Sequence, residues 1–153
     1  MKLFRLLTAA AFVFALIVAP TSRAEEAWLT DYKKAQQEAK ANKKLLLLNF
    51  TGSNWCGFCM QLERDVFSKP EFKEYANKNL VLLTIDFPRG RALQQQPANV
   101  KLQNEELASQ YQVQGFPTIV VLNGDGREVW HYPGYFPGGA SAFIAELEKA
   151  RKG

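Results

Sequence analysis

Three stretches of the chain are apolar almost without interruption and predict interior strands of a sheet: Leu45–Phe50 (LLLLNF), Leu80–Asp86 (LVLLTID) and Thr118–Leu122 (TIVVL). Continuous rather than alternating apolar character is what a strand covered on both faces requires. A fourth strand, Arg127–Tyr132, returns after Asn123-Gly124-Asp125-Gly126, a strong hairpin turn. Between the strands the apolar positions recur at helical spacing. Trp28, Tyr32, Ala35 and Ala39 predict a helix from Ala27 to Asn42, capped by Thr30 or Asp31. Met60, Leu62, Val66 and Phe67 predict one from about Cys56 to Phe67. Ser68-Lys69-Pro70 interrupts it, and Pro70 suits the first turn of a further helix over 70–78.

Residues 87–102, with Pro88, Gly90, Pro97 and a glutamine run, predict a loop that either frames the rim of a site or is a tolerated insertion. Asn104 predicts the cap of a short helix over 105–112, burying Leu107, Ala108 and Tyr111. A last helix over 140–151 turns Phe143, Ile144 and Leu147 inward. The order is α-β-α-β-α-β-β-α. Helical crossovers make the first strands parallel, and the hairpin makes the last pair antiparallel. The chain is therefore α/β with a mixed sheet.

The N-terminus changes the picture of compartment and charge. Lys2 and Arg5 precede about 14 apolar residues, Leu6–Ala19, then Pro20 and the small residues of Ser22-Arg23-Ala24. This predicts an export signal over residues 1–24, cut before Glu25, in a secreted, periplasmic protein. The apolar run falls short of the ~20 residues that span a bilayer. Removing it takes Lys2, Arg5 and Arg23, so 19 basic residues become 16 against an unchanged 15 acidic ones. The basic character thus belongs mostly to the leader, and no like-charge block remains for nucleic acid. Residues 25–153 have a length suited to one domain.

The only two cysteines, Cys56 and Cys59, stand two residues apart where the first strand gives way to a helix. Strand–CxxC–helix is a thiol–disulfide signature. Exchange needs one exposed thiolate and a second thiol to resolve the mixed disulfide. Cys56, at the helix start, gains from unpaired backbone N–H groups and is the candidate nucleophile; Cys59, one turn on, is the resolving thiol. A structural disulfide is a poor alternative, since so short a loop removes about 2 kcal/mol of unfolded-state entropy against about 5 for a 100-residue loop. A zinc site is another, but only His131 adds an imidazole, on a distant strand. No metal and no cofactor is expected.

Trp55-Cys56-Gly57-Phe58-Cys59 after a strand, and Gly115-Phe116-Pro117-Thr118 before one, together resemble the thioredoxin superfamily across nearly the whole mature chain. The continuation into Val66-Phe67-Ser68 and the late Gly134-Tyr135-Phe136-Pro137 resemble the C-terminal domain of the transmembrane thiol–disulfide interchange reductase. The resemblance implies a thioredoxin-like three-layer α/β/α sandwich with Pro117 in the cis form. It also implies that Trp55, Gly57, Phe58, Phe116 and Pro117 form the surface on which a substrate peptide docks. Two departures stand out. Thioredoxins commonly carry a buried Asp on the strand before the cysteines, whereas here Asn49 cannot titrate. Glu63, four residues after Cys59, is the alternative proton carrier, as in the reductase domain it resembles; the competing reading is an exposed helix carboxylate. Gly57-Phe58 matches neither the thioredoxin nor the strong-oxidase dipeptide and is nearer that of the bacterial isomerase.

These readings converge on a monomeric thiol–disulfide oxidoreductase acting on protein thiols and disulfides, more reducing than oxidising, recharged by a membrane electron-donor protein. The rivals are a disulfide isomerase or oxidase, and a peptide-binding, chaperone-like module whose redox activity is incidental. The aromatic set Trp55, Phe58, Phe116, Tyr135 and Phe136 suits the module.

Overall fold

A computed structural model of the chain describes residues 27–153, so the expected export signal and its cut site lie outside the described residues. Among the described residues six α-helices and four strands are arranged as α1 (Tyr32–Asn42), β1 (Leu45–Thr51), α2 (Gly57–Leu62), α3 (Pro70–Asn79), β2 (Leu80–Asp86), α4 (Arg91–Gln95), α5 (Ala98–Gln110), β3 (Thr118–Leu122), β4 (Glu128–Pro133) and α6 (Gly139–Lys152). A π-helical turn, Glu63–Phe67, extends α2.

The sheet runs β2-β1-β3-β4. β1 pairs with β2 in parallel, Leu47 opposite Leu82 and Asn49 opposite Thr84. β3 lies antiparallel to β1, and β4 antiparallel to β3. The crossover argument thus holds for β1 and β2 only; β3 enters from the opposite end because the long 87–117 connection carries the chain back across the sheet.

Every residue of β1 is buried, which is why that segment is apolar on both of its faces. Leu45 and Leu47 pack with Leu62, Val66, Phe67, Phe72, Phe143 and Leu147 beneath α2, α3 and α6. Leu46, Leu48 and Phe50 pack with Ala35, Ala39, Leu107 and Tyr111 beneath α1 and α5. Two cores on either side of one sheet make the three-layer α/β/α sandwich.

Three helix expectations are corrected. α1 begins at Tyr32, not Ala27, with Asp31 capping it by accepting the Lys34 N–H at 2.9 Å. Residues 28–29 instead close the sheet edge: Leu29 donates to the Leu82 carbonyl and accepts from Thr84 N–H, both at 2.9 Å, while Trp28 packs on Phe67. Residues 87–102 are not all loop, because α4 and the first turn of α5 lie there. Asn104 is consequently no cap but an interior residue of α5, fully buried, donating to the Asp86 carbonyl at 2.9 Å. Its polarity, read as an end signal, serves to satisfy the last carbonyl of β2.

Candidate active site

The site grows from the end of β1. Gly52 accepts backbone hydrogen bonds from Trp55 and Cys56, at 3.2 and 2.9 Å, and so forms the turn that aims the cysteines at the start of α2. Gly52 is required there, since a Cβ at this position would lie inside the Trp55 indole. Cys56 occupies the N-cap position with extended backbone, and its sulfur accepts the Cys59 N–H at 3.2 Å. Cys56 and Cys59 are joined as a disulfide, their Cα atoms 5.2 Å apart. Both cysteines are largely buried, at 7% and 6% exposed.

The docking residues implied by the resemblance assemble around this bond. The Phe116–Pro117 peptide is cis, as expected. Phe116 meets the Trp55 ring edge-on at 5.8 Å, which brings the Pro117 loop beside the cysteine turn. The Trp55 Nε1 proton goes to the Phe87 carbonyl at 2.7 Å, and Phe87 packs on Phe116 at 5.1 Å. Gly57 faces open space, and Phe58 is 63% exposed, meeting only the Tyr135 ring at 6.3 Å.

Behind the disulfide is a cavity of about 410 Å³ lined by Trp28, Asn49, Cys59, Met60, Glu63 and Thr84. Asn49 and Thr84 face each other across β1 and β2 on the side covered by α2. The Asn49 Oδ1 is buried and has no hydrogen-bond partner. Glu63 lines the same cavity as Cys59, yet it is exposed and its Oε1 accepts from Ser68 Oγ at 3.1 Å. Glu63 is thus a solvated carboxylate on the wall of the cavity that Cys59 also lines.

Several site residues escaped the sequence reading. Asn54 and Arg89 exchange two hydrogen bonds, Asn54 Nδ2 to the Arg89 carbonyl and Arg89 N–H to Asn54 Oδ1, each at 3.0 Å. Ser53 donates both its N–H and its hydroxyl to the Asp86 carboxylate, at 2.9 and 2.6 Å. The Arg89 guanidinium lies 3.7 Å above the Trp55 ring. The only signal for this rim was the segment's length and its Pro-Arg-Gly sequence, which carry no periodicity. Tyr135 donates to Asp65 at 2.8 Å. His131 lies 3.5 Å from Glu128 on β4, away from the cysteines. Among the described residues no three His, Cys, Asp or Glu side chains converge as a metal site, and no helix is long and apolar enough to cross a membrane.

A strand, a CxxC disulfide at a helix start and a cis-proline loop against its tryptophan define a thioredoxin-fold oxidoreductase site. The chain belongs to the thioredoxin-like family, whose domain model matches residues 32–151. It is 32% identical over 133 residues to the disulfide bond reductase DsbH of Chlamydia pneumoniae, covering 87% of this chain and 77% of that protein. A solved structure described as a DsbH oxidoreductase superposes with a TM-score of 0.76 at 30% identity, over 93% of this chain and 95% of that one. The thiol:disulfide interchange protein DsbD 2 of Pseudomonas aeruginosa is 31% identical over 114 residues, which are 71% of this chain and only 17% of that protein. The oxidised C-terminal domain of Neisseria meningitidis DsbD shares the fold, with a TM-score of 0.55 at 18% identity. The protein is thus a thioredoxin-like oxidoreductase with its redox disulfide at Cys56–Cys59.

Proposed function

We propose that the protein is an exported, monomeric thiol–disulfide oxidoreductase that reduces disulfides of protein substrates. The observation that carries the reading is the placement of Cys56 at the N-cap of α2, beside Trp55 and the cis-Pro117 loop, with Cys59 one turn behind it. The reducing direction is supported by the similarity to a disulfide bond reductase.

In the reduced protein the Cys56 thiolate attacks one sulfur of a substrate disulfide and releases the other as a thiolate. Cys59, deprotonated, then attacks the Cys56 sulfur and expels the substrate's remaining thiolate. Two electrons have passed to the substrate, and Cys56–Cys59 is again a disulfide. Helix-start N–H groups favour the Cys56 thiolate throughout. Trp55, Gly57, Phe58, Phe116 and Pro117 hold the substrate chain. Glu63 takes the Cys59 proton through the shared cavity, a role supported by its place on that wall and by the inability of Asn49 to titrate. A membrane protein passing electrons outward restores the dithiol. Residues 1–24 serve as the export signal and 25–153 as the working domain.

Redox titration of the Cys56–Cys59 pair in glutathione or dithiothreitol buffers tests the direction. A potential of about −250 mV or lower supports a reductase; about −120 to −180 mV means an isomerase or oxidase. The exposed Phe58 and Met60, at 63% and 44%, favour a second reading as a peptide-binding module. The Cys56/Cys59→Ser double variant separates the two: undiminished peptide binding with no dependence of function on turnover supports the module.

A further inference from the structure

The segment after β2 is tied to the cysteine turn at one end and to the last residue of β2 at the other. At one end are the paired Asn54–Arg89 hydrogen bonds and the Trp55–Phe87 bond. At the other, Gln96 and Asn104 both donate to the Asp86 carbonyl, at 3.0 and 2.9 Å. This rim therefore belongs to the active site and holds its side chains in register with it. What it presents is a cation. Arg89 is exposed, lies over the Trp55 ring at 3.7 Å, and has no carboxylate partner among the described residues.

The Asp86 carboxylate, at the end of β2, is occupied by both donors of Ser53. Arg91 is exposed two residues on. Lys101 lines the same hollow of about 240 Å³ as Trp55, Phe87, Arg89 and Leu93, where Glu105 is the one acid. Stacking on an aromatic face fixes a guanidinium while leaving its edge donors free for a carboxylate. A charge so fixed loses less entropy on pairing than a free side chain.

We infer that Arg89 is a substrate-recognition residue, selecting protein disulfides flanked by acidic side chains. The inference rests on the reading as a disulfide reductase and adds the chemistry of its substrates. A peptide that lays its cysteine against Cys56 runs past Trp55, and its neighbouring side chains meet the Arg89 edge. An Asp or Glu there gains a charge-assisted hydrogen bond, whereas a Lys or Arg meets like charge.

The experiment uses two synthetic peptides closed by one disulfide, identical except that Asp or Lys flanks one cysteine. Second-order rate constants for their reduction by the pre-reduced protein are compared. At low salt the acidic peptide is reduced about fivefold faster, the range of an exposed ion pair. In 1 M salt, where the Debye length is about 3 Å, the ratio falls towards one. Arg89→Lys keeps part of the preference, and Arg89→Glu reverses it in favour of the basic peptide. Because each result is a ratio within one variant, a general loss of activity does not imitate it. Equal rates for the two peptides in the unaltered protein, or the same ratio in Arg89→Glu, overturn the inference and leave the reductase reading standing. Reduction of neither peptide overturns both.

Discussion

The phenol of Tyr135 donates its proton to the Asp65 carboxylate at 2.8 Å, tying the π-helical turn behind the CxxC helix to the loop that leads into α6. Tyr135 is also the ring on which the exposed Phe58 rests, so one residue links the docking face to the stability of the turn below it.

That bond has a pH signature. The Tyr135 hydroxyl holds the Asp65 carboxyl below its usual value, burial opposes it, and Gln61, Arg64 and Lys69 add smaller pulls. Glu148 is lowered to about 2 by Arg151 and then Tyr75. A carboxyl depressed in the folded state contributes stability above its unfolded value and loses it as pH falls through the folded one. Thermal melts therefore fall as the pH drops from about 4.5 towards 2. Tyr135→Phe lowers the melting temperature at pH 6 and makes the acid limb shallower; an unchanged limb would show that Asp65 takes no part.

Gly52→Ala tests the fit of Trp55. The new methyl group occupies the position of the indole, so the ring must swing away from the Phe87 carbonyl and from Phe116. Overpacking of this kind costs about 1–3 kcal/mol. Urea denaturation gives that loss, and the exchange rate falls with it because the docking wall has moved.

Asn104→Ala leaves the Asp86 carbonyl with one donor fewer in a buried setting. About 1–3 kcal/mol of stability goes with the bond. Amide hydrogen exchange then speeds up over residues 91–100 more than in β1, since the rim loses one of its two clamps at that end. Uniform acceleration across the chain would mean that Asn104 supports the fold in general and not the rim.

Asn49→Asp places a carboxyl where an amide oxygen already lacks a partner. Burial raises such a carboxyl above its unfolded value. The sign is then the reverse of Asp65: stability is full below about pH 4 and is lost as pH rises through the folded value. A shift of two units removes about 3 kcal/mol by pH 8. Urea unfolding at pH 4.5 and pH 8 measures it.

Much of this architecture was legible in the residues. β2 and β3 stand where unbroken apolar runs put them, and the CxxC turn follows a strand as its spacing required. The cis peptide at Pro117 followed from the resemblance and not from the residues, because a proline opening a strand is ordinarily trans. What stayed hidden was hidden for particular reasons. Trp28 and Leu29 fit a helical stripe, but two backbone bonds to β2 satisfy Leu29 in a way the stripe cannot. The first turns of α5 turn little apolar surface inward, with Asn104 and Leu107 the helix's only buried side chains, so periodicity gave no warning of it. Arg89 sits in a Pro-Arg-Gly-Arg stretch without periodicity, and its place over Trp55 depends on Asn54, which is 35 residues away. Contacts of that range leave no local trace.

The sulfur of Cys56 already caps α2 by accepting the Cys59 amide proton. When the disulfide is reduced and Cys56 stands as the thiolate, that acceptor is charged, and charged acceptors bind N–H groups about twice as strongly as neutral ones. The helix is therefore held harder in the reduced thiolate form than in the disulfide. In an isotope-labelled sample, the amide resonance of Cys59 will move each time the protein is loaded or discharged. A single backbone nucleus thus serves as a gauge of the electron count, readable without touching either thiol.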